Sequence, residues 1–221
     1  MKISPAIEEF LEAIYKLQKE DGSAKTTQLA KSLNVALGTV TNTIEKLERL
    51  NLIVHTAYKG VKLTKKGEAL ALSVIRRHRL SERLLTDFLR IEWDEVHEKA
   101  CLIEHGISDE VASLIEEKLN YPKTCPHGNP IPTQDGQIEE EKELTLLTEL
   151  KPQEKFTIVK ITEEKGEVLK HLKKHNLIPG SSAKLESLQP LKNLILINVN
   201  DETCCLTQQA ASKIWVKKLK E

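Results

Sequence analysis

Residues 26–50 read TTQLAKSLNVALGTVTNTIEKLERL, and this stretch decides the fold of the first part of the chain. Thr26–Leu33 has the length and spacing of a short helix, and Asn34–Ala36 is typical of a tight turn. A second helix is predicted over Leu37–Leu50. Its apolar face carries Val40, Ile44 and Leu47. Two helices joined by so short a turn predict a helix-turn-helix.

The flanking residues extend this motif in both directions. Ser4 is a favourable N-cap for a helix that begins at Pro5 and continues until Gly22. Residues 52–55 and 61–64 are predicted to form two short strands joined by a turn. The order helix, helix, turn, helix, hairpin is that of a winged helix-turn-helix DNA-binding domain, which we predict over residues 1–64.

The rest of the chain divides into a helical part and a β part. Residues 65–130 have the apolar spacing of successive helices, one of which is predicted to begin near Asp94 and to continue through His105. Residues 131–143 are predicted to be a linker. Residues 144–221 contain four strand-like runs and one short helix, which predict a small β-barrel. We therefore expect a mainly α fold with a small β domain.

Composition and charge limit the possible functions. Charged residues make up 30% of the chain and no apolar run is long enough to cross a bilayer, so we expect a cytoplasmic protein that does not bind a membrane. The start of the chain does not resemble a secretory signal. Residues 25–66 have eight Lys and Arg against two Glu, whereas residues 77–130 have seven basic and eleven acidic residues. The first segment suits an anionic partner and the second suits cations.

The second helix of the motif offers polar side chains that suit a DNA major groove, because short polar groups reach base edges and phosphates there. The predicted DNA contacts of this helix are Thr39, Thr41, Asn42, Thr43 and Lys46. Lys59, at the tip of the predicted wing, suits a phosphate. The alternative is a solvated polar face in a protein-binding module. Since one such helix contacts few base pairs, we expect a homodimer on double-stranded operator DNA.

Four potential metal ligands share one face of the helix predicted to begin near Asp94. They are His97, Cys101, Glu104 and His105, related by steps of three and four. Burying such a polar set costs several kcal/mol unless a cation compensates it. The mixture of nitrogen, oxygen and sulfur donors suits a first-row transition metal better than magnesium or calcium.

Three further pairs of potential ligands are less specific by themselves. They are His78 with Glu82, Glu9 with Glu12, and Cys125 with His127. The first two pairs have the helical spacing of a surface ion pair or a solvated face. The third lies in a proline-rich loop, where ligand and structural roles fit the sequence equally well. Cys204-Cys205 has no histidine near it in the sequence, which favours a buried structural thiol.

A catalytic reading of this helix is also open. The run His97-Glu98-x-x-Cys101 superficially resembles the His-Glu-x-x-His helix of zinc hydrolases, whose glutamate is the general base. Here cysteine replaces the second histidine, and Glu104 and His105 crowd the same face. A catalytic zinc also needs an open coordination position and a substrate cleft, which the rest of the sequence does not predict. We therefore do not expect an enzyme.

Three stretches of the chain together resemble the diphtheria toxin repressor / manganese transport regulator family of metalloregulators. They are RHRLSERLL (77–85), VHEKACLIEHGISD (96–109) and YPKTCPHGNPIP (121–132). The resemblance implies a winged helix, a central helical metal-binding and dimerisation domain, and a C-terminal SH3-like (FeoA-like) barrel. It further implies a homodimeric repressor that Fe(II) or Mn(II) activates to bind operators of metal-uptake genes.

The resemblance also implies two metal sites in each subunit. The residues matching the regulatory site are Glu9, Glu12, Cys101, Glu104 and His105, with His78 close enough to bridge to it. In iron-type members the second site uses the positions of His78, Glu82 and His97. In a streptococcal-like branch it uses those of Glu82, Cys125 and His127 together with an acidic residue of the C-terminal barrel, which we place at Glu164. Cys101 is the iron-type choice and Glu9 the manganese-type choice. Because a thiolate is a soft ligand, we expect Fe(II) ahead of Mn(II).

Two other functions fit parts of the sequence. The first is a winged-helix regulator that responds to a non-metal ligand, in which case Glu104 and His105 variants would stay regulated. The second is a metal carrier or iron-transport accessory protein, because the C-terminal barrel resembles small domains attached to iron transporters. Reversing the charge of Lys59 and Lys62 would leave such a carrier intact.

Overall fold

The computed structural model describes residues 3–219, and the two residues at each end of the chain, which the predicted outer domains include, lie outside this range. The described residues form two compact units. The first comprises the residues up to His78 together with 104–114 and 132–137; the second comprises 79–103, 115–131 and the residues from 138 onward. Within residues 3–219, no helix is both long and apolar enough to cross a membrane.

Helices and strands follow the predicted order. The α-helices are α1 (Pro5–Asp21), α2 (Thr26–Ser32), α3 (Leu37–Arg49), α4 (Lys65–Asp87), α5 (Val96–Ile103), α6 (Asp109–Lys118), α7 (Gly166–Lys174) and α8 (Gln208–Ala211). The strands are β1 (Ile53–Thr56), β2 (Gly60–Leu63), β3 (Thr145–Leu146), β4 (Lys155–Ile161), β5 (Ser182–Gln189), β6 (Leu194–Val199), β7 (Glu202–Thr207) and β8 (Ile214–Lys218). Short 3₁₀ turns lie at 104–106, 147–149 and 190–192.

The first unit contains the predicted winged helix. Helices α1, α2 and α3 pack with the antiparallel hairpin of β1 and β2, and the predicted apolar face of α3 is buried. Ala24 bridges to Val61 beside this hairpin. A Cβ atom on Gly60 would lie 2.6 Å from the Ala24 oxygen, and its φ of +98° also favours glycine. Ser4 stands at the predicted N-cap of α1, but its side chain makes no capping hydrogen bond.

The second unit is built on a six-stranded antiparallel sheet in the order β3-β8-β4-β5-β6-β7. Leu169 and Leu172 of α7 join the buried side chains of this sheet in one apolar core. Strands β3, which has two residues, and β7 were not predicted. In β7 the buried positions are Cys204 and Leu206. The alternation of apolar and polar residues in this strand is visible only when cysteine is counted as apolar.

One helix differs from its prediction near the candidate ligands. Helix α5 ends at Ile103, and residues 104–106 form a 3₁₀ turn instead of continuing the α-helix through His105. Asp94, the predicted N-cap, lies two residues before the start of α5 at Val96. Its carboxylate accepts a hydrogen bond from Lys173 at 2.6 Å. The tighter turn changes which way the last two potential ligands point.

Candidate metal centres and DNA-binding surface

The first candidate metal centre lies in the first unit, between α1 and the 3₁₀ turn. His105 Nε2 is 2.9 Å from Glu9 Oε1 and 3.4 Å from Glu104 Oε1. The ligand atoms of these three residues all lie within 4.8 Å of one another. The Glu104 residue is 1% exposed, whereas the Glu9 side chain is 46% exposed, so the cluster opens to solvent on the α1 side.

Further charged side chains surround this trio. His78 Nδ1 forms a hydrogen bond with Glu104 Oε2, and Glu12 is buried nearby. Glu8 is a residue that the sequence analysis missed. Its carboxylate lies 2.6 Å from His105 Nδ1 and accepts a hydrogen bond from Arg77 at 2.7 Å. The i, i+4 spacing of Glu8 and Glu12 places both on one flank of α1, and this signal was present in the sequence.

Burial and charge set the protonation of this cluster. Burial raises the pKa of Glu104, and the neighbouring Glu12 carboxylate raises it further, against the opposing effect of His78. Burial lowers the pKa of His105, but hydrogen bonds to the Glu9 and Glu8 carboxylates outweigh it and raise that pKa overall. Both pKa values are raised, which is the direction expected for a partly buried group beside several carboxylates. The oxygen and nitrogen donors of this cluster fit a divalent transition ion.

The second candidate metal centre lies in the second unit. Glu82, Cys125 and His127 are 2%, 3% and 4% exposed, and their ligand atoms lie within 4.8 Å of one another. His127 Nδ1 is 3.1 Å from Glu82 Oε1. The other ring nitrogen donates a hydrogen bond to the Trp93 carbonyl oxygen at 3.0 Å. This bond holds Nδ1 toward Glu82, as outer-shell partners do for metal-binding histidines.

The protonation of His127 also suits a cation site. Burial lowers the pKa of His127, but Cys125 and Glu82 outweigh that effect and raise the pKa to about 10. The raised pKa reflects the negative charge that the Glu82 carboxylate and the Cys125 thiol place around this ring. The carboxylate, thiol and imidazole of this trio form a donor set of mixed softness, which fits a first-row transition ion.

Three other predicted ligands belong to this unit. His97 Nδ1 lies 3.6 Å from Glu82 Oε1, and His97 Nε2 lies 3.9 Å from Glu164 Oε2. Cys101 Sγ is 3.7 Å from the same His97 nitrogen. The structure thus brings His97 and Glu164 to the edge of the second centre. The assignment of Cys101 to the regulatory centre stays a prediction.

The loop that carries Cys125 and His127 is held against strand β4. The His127 carbonyl oxygen accepts a hydrogen bond from the Ile161 amide at 2.9 Å. Gly128 follows with a φ of +82°, and a Cβ atom there would lie 2.0 Å from the Val159 oxygen. The backbone of the loop therefore approaches β4 as closely as only glycine permits.

The predicted DNA-contact residues lie on α3 and on the wing. Thr39, Thr41, Asn42, Lys46 and Lys59 are exposed. Thr43 is half-buried instead of exposed, and its hydroxyl donates to the Thr39 carbonyl at 2.8 Å in the preceding turn. Lys25 donates to the Lys59 carbonyl at 2.9 Å and so holds the wing turn. Tyr58, which was not among the predicted DNA contacts, has a fully exposed side chain at the wing tip.

Cys204 is buried as predicted, but it has a histidine close to it in space. It is buried, as a structural thiol should be, and burial raises its pKa to about 11. A histidine does lie near it in space, since Cys204 Sγ is 3.6 Å from His171 Nε2. Cys205 is exposed, since neighbouring residues of a strand point to opposite faces.

Comparison with protein families matches almost the whole chain. Residues 2–61 match the family described as "Iron dependent repressor, N-terminal DNA binding domain". Residues 64–133 match "Iron dependent repressor, metal binding and dimerisation domain", and residues 145–218 match "FeoA domain". The predicted order of a DNA-binding, a helical and a small β domain is thereby confirmed.

Similar proteins include both iron and manganese regulators. The iron-dependent repressor IdeR of Mycobacterium leprae is 33% identical over 224 residues, which are 96% of each chain. A manganese-dependent transcriptional repressor solved in complex with manganese has a TM-score of 0.86 and 30% identity, over 96% of this chain and 100% of that one. The structure of T. acidophilum IdeR has a TM-score of 0.81 and 31% identity, over 96% and 97%.

Proposed function

This chain belongs to the diphtheria toxin repressor / manganese transport regulator family of metal-dependent, DNA-binding repressors, and we propose that Fe(II) or Mn(II) activates it to bind operators of metal-uptake genes. The observation that carries this proposal is the meeting of Glu9 on α1 with Glu104 and His105. Helix α1 is part of the winged helix, so ligands from it link metal binding to the DNA-binding domain.

The chemistry of the first centre explains why metal would act as a switch. The carboxylates of Glu8, Glu9, Glu12 and Glu104 repel one another, and a divalent ion supplies the positive charge that offsets this repulsion. Leu11 and Ile14 anchor α1 in the core of the winged helix. Gln18 on the same helix accepts a hydrogen bond from the Leu63 amide of the wing at 2.8 Å. Fixing Glu9 at the metal therefore restrains the position of α1, and through its packed side chains that of the other DNA-binding elements.

We further propose that the working form is a homodimer. Helices α5 and α6 expose large apolar side chains, including Leu102 and Leu114, which suit contact with a second copy. A dimer presents two recognition helices, and a two-fold operator requires them to lie about one DNA turn, or about 34 Å, apart. Metal shifts the population toward this spacing only if it binds the DNA-competent state more tightly.

We propose Fe(II) ahead of Mn(II), with two metal sites in each subunit. The support is the thiol at Cys101, which is the iron-type choice, and the second thiol at Cys125. Thiol ligands favour Fe(II) over Mn(II), whereas Glu9 is the manganese-type choice and carboxylates favour the harder ion. The relatives of this chain include regulators of each kind.

Operator binding titrated anaerobically with Fe(II), Mn(II) and Zn(II) in turn tests this function. We expect the operator affinity to rise by roughly 5- to 150-fold with the activating ion, the usual range of allosteric coupling. Fluorescence anisotropy of labelled operator DNA measures it. Binding that survives chelation and does not respond to any of these ions would overturn the proposal. Metal affinity alone is a poor readout, because zinc binds tightly to most such sites.

Reversing two charges on the wing should weaken operator binding. We expect Lys59→Glu with Lys62→Glu to lower the affinity by at least roughly tenfold and to make the slope of log K against log salt shallower by about two. Both side chains are exposed, so the fold should not change. Lys151→Glu with Lys192→Glu, at exposed positions far along the chain, is the matched control. An unchanged slope in the wing variant would favour the metal-carrier alternative.

A further inference from the structure

A third cluster of potential ligands lies on the C-terminal sheet, where α7 packs beside the edge strand β7. Cys204 Sγ is 3.6 Å from His171 Nε2, and the donor atoms of His171, His175 and Cys204 all lie within 4.8 Å of one another. The two imidazole rings have centroids 4.8 Å apart. None of these residues belongs to either of the two centres described above.

Local structure explains how the three side chains meet. Helix α7 buries Leu169 and Leu172 against the sheet. His171 lies in its last turn, and His175 follows four residues later as the C-cap residue of the helix. In β7 the side chain of Cys204 points inward, at the border of the apolar core. His171 is exposed and His175 is half-buried, so solvent reaches the cluster from the histidine side.

We propose that His171, His175 and Cys204 form a third metal site, for a borderline divalent ion of the zinc class. Two imidazoles and one thiolate are ligands that zinc accepts in tetrahedral sites, with donor atoms about 3.3 to 3.8 Å apart. The sulfur and the His171 nitrogen already have this separation. All three donor atoms lie within 4.8 Å of one another, so small side-chain rotations bring the remaining pairs to this separation. The solvent side leaves the fourth position to water, which makes the ion exchangeable.

Binding requires one rearrangement at His171. Its Nε2 lies 3.1 Å from the Cys205 carbonyl oxygen, so in the metal-free chain this nitrogen carries the proton and donates it. A metal at Nε2 needs the other tautomer, with the proton on Nδ1, and the Cys204 thiol must also release its proton. The alternative role of His171 is this hydrogen bond alone, with Cys204 as an inert core thiol.

Cobalt substitution distinguishes the two roles. The full chain with Cys101→Ser and Cys125→Ser has thiols only at Cys204 and Cys205. Adding Co(II) to it should produce a thiolate-to-cobalt charge-transfer band in the near ultraviolet. We expect His171→Ala with His175→Ala, and separately Cys204→Ser, to remove this band and to reduce bound Zn(II) by one ion per subunit. Cys205→Ser, on the opposite face of the same strand, is the matched control and should keep it.

Several outcomes would overturn the proposal. They are a missing band in the parent, a band that survives in the double histidine variant, or a band that Cys205→Ser removes. Cys204 is in the core, so Cys204→Ser also removes a packed side chain, whereas the two histidines lie toward the surface. The histidine variants, with thermal melting as a check of folding, therefore keep the test decisive. Operator binding is not the readout, so failure here leaves the proposed repressor function intact.

Discussion

Replacing His105 by alanine is expected to abolish the metal response of operator binding. His105 is the proposed nitrogen donor of the first candidate centre and has a carboxylate on each ring nitrogen, Glu8 at 2.6 Å and Glu9 at 2.9 Å. Without this imidazole, the carboxylates of α1 and Glu104 offer an ion only oxygen atoms, and the transition-metal site is incomplete. With saturating Fe(II) or Mn(II), we expect the operator affinity to fall by roughly 100-fold, to that of the chelated protein.

Anisotropy titrations with and without metal measure this loss. Glu104→Gln should behave like His105→Ala, because the amide has no negative charge to offer an ion. Glu110→Gln, at an exposed position of α6, is the matched control and should respond to metal like the parent chain. A His105→Ala protein that is folded and still fully responsive would favour the regulator of a non-metal ligand.

Replacing Gly128 by alanine is expected to destabilise the second unit and to dismantle the second centre. The new Cβ would lie 2.0 Å from the Val159 oxygen and 2.9 Å from the Lys160 Cα, at a φ of +82°. The loop must then leave β4, and Cys125 and His127 move with it. We expect the free energy of unfolding to fall by roughly 2 to 4 kcal/mol. Denaturant unfolding and the number of bound metal ions are the measurements.

Gly180→Ala separates the backbone strain of a positive φ from the steric clash with β4. Gly180 has a similar φ of +90°, but a Cβ atom there would have no neighbour within 4 Å. The control should therefore cost only the backbone strain, about 1 kcal/mol, and should keep its metal. Equal losses in the two variants would show that the close approach to Val159 does not hold the loop in place.

The winged helix was predictable from the sequence almost residue by residue. The predicted second helix over residues 37–50 is α3 (Leu37–Arg49), and its three apolar residues are all buried. The elements of this domain have regular apolar periods, and a period is a property of neighbouring residues. The shift from α-helix to 3₁₀ turn at residue 104 was not predictable, because turn geometry at a helix end depends on what packs against it.

Most of the candidate ligands were likewise predictable, and one was not. Sequence and family resemblance together selected Glu9, Glu104 and His105, and also Glu82, Cys125 and His127, and the structure brings each of these trios together. Glu8 was overlooked, although its spacing from Glu12 was visible. Its contact with His105 joins residues 97 positions apart. No local pattern specifies such a contact.

By itself, then, the sequence determined the elements, their order and the chemical types of the ligands, since residue type and periodicity are local. Only the tertiary structure showed which of these side chains meet. It placed Glu8 beside His105, fitted the Gly128 loop to β4, and brought His171 within 3.6 Å of Cys204 across 33 residues. The physical reason is that such neighbours arise from the packing of buried faces, which relates elements far apart in the chain.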